Sequence, residues 1–134
     1  MNAKLAVKSF IIDNNKLLVI KRRLNDIQKP GIWEIPGGRL NIGEDPFIGL
    51  KRETKEETNL DIEIIKPLTV RHFTRDDNQI ITLIIFLCKP LYKNIKLSEE
   101  HTDYDWINIE DNKLADFYRK EVEIFKKFEM GKYM

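Results

Sequence analysis

The sequence has a single cysteine, Cys88, and no long apolar segment among its 134 residues. A disulfide framework is therefore excluded, and Cys88, inside an apolar run, is expected to be a buried thiol instead of a nucleophile or metal ligand. No segment approaches the roughly 20 apolar residues that span a bilayer. Lys4 and Lys8 interrupt the first segment, where a secretory signal would need an uninterrupted apolar run. These features predict a cytoplasmic protein without a membrane partner.

The sequence also lacks an excess of charge of either sign, since 23 Lys and Arg face 22 Asp and Glu, for a net charge of +1. Stable binding to long nucleic acid is not expected, because no overall positive field would hold a polyanion. The length is typical of one domain, and the chain has no internal repeat, linker or low-complexity tract. We therefore expect one domain over residues 1–134.

Two pairs of segments are rich in β-branched and apolar residues, which favour strands. Residues 5–12 and 16–21 are separated by a short polar segment that tolerates a tight turn, so they predict a hairpin. Residues 62–73 and 79–89 flank a second polar turn and are expected to pair antiparallel.

Residues 46–58 are predicted to form a helix, because Phe47, Leu50 and Thr54 recur at spacings of three and four. Asp45 before a proline suits the N-cap, and Asn59 suits the left-handed residue that ends a helix.

The C-terminal part of the chain predicts three further segments. Residues 95–103 are polar and indicate a loop, residues 104–109 a last short strand, and residues 114–128 a helix that covers the sheet. Strands flanked by two helices predict an α/β (α+β) fold, with a mixed sheet between layers of helix.

Glu53, Glu56 and Glu57 share one face of the predicted helix, within an arc of roughly 100°. Such a triplet is often a solvated acidic face. Here the acids border the apolar stripe of the helix, where a cleft could form, and the Gly37-Gly38 turn allows close approach of the backbone.

The segment from Gly38 to Leu60 resembles the box of the Nudix family: Gly, five residues, Glu, seven residues, Arg-Glu-apolar-any-Glu-Glu-any-Gly-apolar. The corresponding residues are Gly38, Glu44, Arg52, Glu53, Thr54, Glu56, Glu57, Asn59 and Leu60, and seven of the nine match. The resemblance implies a Nudix-type α/β/α sandwich and hydrolysis of a nucleoside diphosphate linked to another moiety. It also implies a small nucleotide substrate and Mg²⁺, with Mn²⁺ as a possible substitute.

Two positions depart from the pattern. Thr54 replaces an apolar residue, and its hydroxyl is expected to bond back to the helix carbonyl four residues earlier. Asn59 replaces glycine, and asparagine is the next most tolerant residue of positive φ. Neither position is a proposed ligand.

The motif and the helix geometry together suggest the following metal site. Glu53, Glu56 and Glu57 would hold the metal, with the Gly37 carbonyl as an extra ligand and Glu44 as an outer ligand. Arg52 is expected to orient one of these carboxylates, because a guanidinium can bind a carboxylate bidentately.

The sequence leaves two candidates for the general base and two for the arginine that contacts the substrate phosphates. Glu53 is one candidate general base, and Glu100, in a loop before a strand, is the other. Arg22 or Arg23 is expected to contact substrate phosphates, with Arg23 favoured by analogy, and Gly38 to line the substrate.

The substrate is inferred by elimination. The sequence after Leu60 lacks the extended motif that marks family members acting on nicotinamide dinucleotides. Arg75 stands where relatives acting on ADP-ribose tend to have proline. A nucleoside triphosphate cleaved to monophosphate and pyrophosphate is therefore expected, with oxidised or noncanonical triphosphates among the candidates. A nucleotide-sugar hydrolase, for example of ADP-ribose, and a non-catalytic nucleotide sensor are the alternatives, and the protein is expected to be a monomer or a homodimer.

Overall fold

A computed structural model describes residues 3–92 and 94–132 of the chain. The β-strands are β1 Ala3–Asp13, β2 Lys16–Arg22, β3 Trp33–Glu34, β4 Gly37–Arg39, β5 Ile62–Thr74, β6 Ile80–Pro90 and β7 His101–Asn108. The α-helices are α1 Pro46–Thr58 and α2 Arg119–Phe128, and 3-10 turns lie at Asp116–Tyr118 and Met130–Lys132.

The strands form one mixed sheet around β1. The hydrogen-bonded path is β3-β2-β1-β6-β5, with β4 paired to β1 and β7 paired to β2. β1 and β6 run parallel, whereas the hairpin β1–β2 and the pair β5–β6 are antiparallel, as the sequence predicts. Asn14 and Asn15 make the hairpin turn with φ of 48° and 62°, a conformation that asparagine tolerates.

Alternation along β1 divides the core between the two faces of the sheet. Phe10 belongs to a buried cluster with α2, and its ring centroid lies 5.4 Å from that of Phe125. Ile11 belongs to the other cluster, which contains Leu50 of α1. Successive strand residues point to opposite faces, so helix, sheet and helix form the expected α/β/α sandwich. Cys88 is fully buried among apolar residues, as expected.

Helix α1 begins and ends where the sequence predicts. The Asp45 side chain accepts hydrogen bonds from the backbone N–H groups of Phe47 and Ile48, and Asn59 closes the helix with φ of 67°. The expectation for Thr54 is wrong, because its hydroxyl pairs with that of Ser9 on β1. Thr58 makes the backward bond instead, to the Thr54 carbonyl.

Two predicted boundaries are corrected. The last strand begins at His101, three residues before the predicted start, because His101 pairs with Arg22 across a bulge. The C-terminal α-helix begins at Arg119 instead of residue 114. Ala115 is held extended, with ψ of 142°, and its N–H donates to the Trp33 carbonyl, a long-range bond that keeps this segment out of the helix.

None of the helices within residues 3–92 and 94–132 combines the length and apolar character needed to cross a membrane. The cytoplasmic location, the assembly as a monomer or homodimer and the extent of one domain over residues 1–134 stay predictions of the sequence.

Candidate active site

The three glutamates of helix α1 differ in their exposure to solvent. The Glu56 side chain is 58% exposed, that of Glu53 is 16% exposed, and Glu57 is buried. The Glu57 carboxylate lies under β4, where its Oε1 accepts a hydrogen bond of 2.8 Å from the Gly37 N–H. The acids therefore follow the rim of the sheet instead of forming a solvated face.

The two glycines of β4 are required by close contacts. Gly37 has φ of 145°, and a Cβ there would lie 2.2 Å from the Val7 carbonyl oxygen of β1. A Cβ at Gly38 would lie 2.6 Å from Oε2 of Glu53. A side chain at Gly37 would therefore collide with the backbone of β1, whereas one at Gly38 would meet the end of the Glu53 side chain, so the β4 backbone lies between β1 and the carboxylates of α1.

Arg52 lies among the acids as an internal counter-ion. Its Nε and Nη2 donate to Oε2 and Oε1 of Glu44, each at 2.8 Å, which is the bidentate geometry expected for this pair. Its Nη1 donates to Glu53 at 3.0 Å and to Glu56 at 3.3 Å. Arg52 thus contacts three of the four acidic residues of the motif.

Electrostatics separate the acids into two groups. Hydrogen bonds from Arg52 and from the Asn41 N–H lower the pKa of Glu44 to about 2. Burial raises the pKa of Glu57 to about 8, and the neighbouring Glu34 and Glu53 charges add to the rise. Burial likewise raises the pKa of Glu53. A cation beside Glu53 and Glu57 would relieve this penalty.

The donor set fits a hard divalent cation, because it consists of carboxylate oxygens and backbone carbonyls. In the part of the chain that the structure describes, no three acidic, His or Cys side chains converge on a common point. Glu44, Glu53 and Glu56 are turned towards the Arg52 guanidinium instead. Coordination by Glu53, Glu56 and Glu57 would therefore require side-chain rotation, and the ligand roles predicted for them and for Gly37 and Glu44 stay predictions.

The loop before β7 lies next to this cluster. The Ser98 N–H donates to the Glu57 carbonyl at 3.1 Å, which holds this loop against α1, and the Glu100 charge adds to the raised pKa of Glu53. The Glu100 side chain is exposed, and its carbonyl accepts a 3.0 Å hydrogen bond from the Arg23 N–H. The structure therefore brings Glu100 and Arg23 together, although their roles stay predictions.

A cavity of about 170 Å³ opens on the other side of β4. Basic and aromatic side chains dominate its lining, which includes Lys8, Arg22, Lys29, Arg39, Arg75, Phe73, Phe117 and Tyr118, together with Gly37, Gly38 and Glu34. Gly37 and Gly38 thus separate the cavity from the carboxylates of α1. Arg22 lines this cavity, whereas Arg23 lines a separate shallow hollow beside it.

The floor of the cavity is organised by Glu34, a residue that was not singled out in the sequence. Its carboxylate accepts from Lys8 Nζ at 3.2 Å and from Arg22 Nη1 at 2.8 Å, and it pairs with His101 Nε2 at 2.8 Å. These residues come from β1, β2, β3 and the start of β7, so only the fold assembles them. A signal was available, since Lys8 is charged inside an apolar strand and Glu34 lies three residues before Gly37.

The chain that carries this site matches a known protein family. The NUDIX domain model matches residues 3–128, nearly the whole chain. This chain therefore belongs to the NUDIX family, as the resemblance of residues 38–60 implies.

Individual relatives support the same assignment. A MutT protein structure from Methanosarcina mazei superposes with a TM-score of 0.83 and 25% identity, covering 93% of this chain and 94% of that one. An ADP-ribose pyrophosphatase from Methanocaldococcus jannaschii is 27% identical over 98% of this chain and 78% of its own length. The nucleoside triphosphatase NudI from Escherichia coli is 33% identical over 61% of this chain and 65% of its own length. The chain spans 37–65% of the length of other relatives, from Arabidopsis thaliana and Streptomyces ambofaciens.

Proposed function

We propose that the protein is a divalent-metal-dependent pyrophosphohydrolase that converts a nucleoside triphosphate to the monophosphate and pyrophosphate. The proposal rests mainly on the position of Gly37 and Gly38. These two residues line the basic, aromatic cavity and also contact the carboxylates of α1. A nucleotide lying across β4 would place its base in the cavity and its phosphates beside Glu53. The NudI relative, named as a nucleoside triphosphatase, supports this substrate class.

The size of the cavity supports this orientation. Its volume of about 170 Å³ is below the range of roughly 300–1,000 Å³ that encloses a drug-sized ligand. It suits a flat ring packed against Phe73, Phe117 and Tyr118, with the charged part of the substrate outside. Arg39, which follows Gly38 on β4 and also lines the cavity, is placed to meet that charged part.

Glu53, Glu56 and Glu57 are the proposed metal ligands, with the Gly37 carbonyl, and Mg²⁺ is the proposed metal, with Mn²⁺ as a substitute. Such a cation, when bound, neutralises phosphate charge and lowers the pKa of a bound water. Arg52 would hold Glu44 in the outer shell and orient Glu53 through its Nη1. Gly38 has no side chain between the cavity and Glu53, and this would give the substrate close access to that carboxylate.

Glu53 and Glu100 remain the two candidates for the proton acceptor. Glu53 is largely covered, and burial raises its pKa, which makes it a stronger proton acceptor than an exposed carboxylate. Glu100 is exposed and borders Glu53, and its backbone is tied to Arg23. Arg23 would contact the phosphates from this side, whereas Arg22 is engaged with Glu34 and Asp26.

ADP-ribose is the second candidate substrate. It is favoured by the M. jannaschii relative, named as an ADP-ribose pyrophosphatase, which aligns with 98% of this chain. The same cavity would then hold the adenine ring. The two substrates give different products, because the triphosphate releases pyrophosphate and ADP-ribose releases two monophosphates.

The test is product analysis with the purified protein and Mg²⁺. Nucleoside triphosphates and ADP-ribose are incubated separately, and the products are separated by ion-exchange chromatography. Monophosphate plus pyrophosphate from a triphosphate supports the proposal, and AMP plus ribose 5-phosphate supports the second candidate. Turnover of neither substrate by a folded, metal-binding protein would contradict both.

A further inference from the structure

The cavity floor has more hydrogen-bond donors than acceptors. Lys8 Nζ donates to Glu34 Oε1 and to the Ile35 carbonyl at 2.9 Å, and the Tyr118 hydroxyl lies within its reach. An ammonium group has three N–H donors and no acceptor. Whether the third Lys8 proton or the Tyr118 O–H faces the cavity, the group presented there is a donor.

Arg22 adds a second positive charge beside Lys8 at this floor. Its Nη1 and Nη2 bind Glu34 and Asp26, but its Nε is buried and has no hydrogen-bond partner among the residues that the structure describes. A buried donor without an acceptor costs about 1–3 kcal/mol.

The acceptors at the floor are largely occupied. A carboxylate offers about four lone-pair sites, and Glu34 already binds Lys8, Arg22 and His101. Glu34 is only 4% exposed, so water does not replace these partners. The Ile35 carbonyl, also at the floor, accepts from Lys8. Gln28 also lines the cavity and has a side-chain carbonyl, so among the described lining residues acceptors are present but are fewer than donors.

The charges of the side chains that line the cavity also favour a ligand that accepts hydrogen bonds. Five cationic side chains line the cavity, against the single carboxylate of Glu34. Partial burial, together with the positive charges of Lys8 and Arg22, lowers the pKa of Lys29 at the rim. The cavity therefore favours an electron-rich ligand edge throughout.

Nucleobases differ in what they present at equivalent positions. Adenine and cytosine carry an amino group, which donates, where hypoxanthine and uracil carry a carbonyl oxygen, which accepts. We propose that the Lys8–Arg22 floor makes the cavity selective for nucleobases with a carbonyl at this edge over those with an amino group. This inference rests on the proposed nucleotide substrate and names its base class.

Two matched pairs of substrates isolate the effect. ITP differs from ATP, and UTP from CTP, in the exchange of an amino group for a carbonyl and in the adjacent ring nitrogen, which carries a hydrogen in ITP and UTP but is an acceptor in ATP and CTP. An amino group facing the floor would leave donors opposed to donors, and sites built around hydrogen bonds reject such analogues strongly. We expect kcat/KM for ITP and UTP to exceed that for ATP and CTP by about tenfold or more. Equal values, or a preference for the amino base, would overturn the inference and leave the proposed function standing.

A separate binding measurement distinguishes failure of the proposed base selectivity from failure of the proposed hydrolase function. Binding of IMP and AMP, measured by calorimetry, requires no hydrolysis. If no triphosphate is cleaved while IMP binds at least about tenfold more tightly than AMP, the proposed function fails and the selectivity stands. Equal binding of both monophosphates would overturn the selectivity.

The Lys8→Met variant tests the residue assignment, because it removes the ammonium group and keeps a side chain of similar length. The ratio of kcat/KM for ITP over ATP is expected to fall at least fivefold. Since Lys8 also balances Glu34, the double variant Lys8→Met with Glu34→Gln keeps the cluster neutral if the single variant does not fold, and the same fall is expected. Lys4→Met, at an exposed position of the same strand, is the control. An unchanged ratio in a folded Lys8→Met or double variant would overturn the role of Lys8.

Discussion

Arg52 binds Glu44 through two parallel hydrogen bonds, from Nε to Oε2 and from Nη2 to Oε1, each 2.8 Å long. The third guanidinium nitrogen, Nη1, is then directed at Glu53 and Glu56. One arginine therefore fixes the loop that carries Glu44 relative to the helix that carries the proposed metal ligands. This arrangement holds the acidic cluster together before any cation binds.

Replacing Arg52 with Lys should uncouple these carboxylates, because an ammonium group cannot bind a carboxylate bidentately. We expect kcat to fall roughly tenfold to a hundredfold, since small displacements of catalytic groups cost about this much. Steady-state kinetics would measure the loss, with Lys51→Arg on the neighbouring exposed position as the control. Wild-type kcat in Arg52→Lys would show that the bidentate contact has no part in catalysis.

The proposed metal site can be tested without turnover. Because a ligand that binds only the folded state stabilises it, Mg²⁺ at about 100 times its Kd should add about 2.7 kcal/mol and raise Tm by several degrees. Glu57→Gln keeps an oxygen for the Gly37 N–H but removes the charge, and it should lose most of this shift. Calorimetry in metal-free buffer and in Mg²⁺ makes the comparison, and Glu63→Gln on β5 serves as control. An equal shift in both variants would exclude Glu57 as a ligand.

The choice between Glu53 and Glu100 as general base rests on pH–rate profiles. If Glu100 takes the proton, Glu100→Gln should remove the acidic limb of the profile and lower kcat by roughly 10²–10⁴-fold. If Glu53 does so, Glu100→Gln should leave the profile nearly unchanged, while Glu53→Gln should remove the limb. Glu99→Gln, at the adjacent exposed loop position, controls for the local charge. Loss of the limb in neither variant would reject both candidates.

Glu34 should govern stability at acidic pH. Burial alone would raise the pKa of Glu34, but Lys8, His101 and Arg22 outweigh it and hold this pKa well below its usual range. The stabilisation is therefore complete above the unfolded value of about 4.3, and is lost as the pH falls through the folded value. At pH 7 we expect Glu34→Gln to cost about 3 kcal/mol, because it leaves two partly buried cations, Lys8 and Arg22, with weaker compensation.

Urea unfolding at pH 7 and at pH 3 checks this account of Glu34. The difference in unfolding free energy between wild type and Glu34→Gln should shrink as the pH falls below about 4. A difference that stays constant down to pH 3 would mean that the Glu34 charge does not stabilise the fold.

Local signals were sufficient for the elements that depend on local chemistry. Helix α1 is limited by Asp45 and Asn59, whose cap geometry follows from their own side chains. The hairpin turn depends on Asn14 and Asn15 in the same way. The glutamates of α1 share a face because helical spacing places them there.

Long-range contacts account for what the sequence did not predict. The start of α2 is delayed by the bond from Ala115 to Trp33, more than eighty residues earlier in the chain. The Glu34 cluster and the cavity arise only when β1, β2, β3 and β7 are assembled. Short turns predict the pairing of consecutive strands, but the sequence does not show which distant strands become neighbours, so the cavity floor could not be derived from it.

The central claim is tested most directly by ³¹P NMR of a nucleoside triphosphate incubated with Mg²⁺ and either the wild-type protein or Glu56→Gln. The wild type should produce monophosphate and pyrophosphate, whereas Glu56→Gln, whose exposed side chain is not needed for folding, should be slower by about a hundredfold or more. Glu63→Gln should match the wild type. Release of orthophosphate with a nucleoside diphosphate, or equal turnover by Glu56→Gln, would contradict the account.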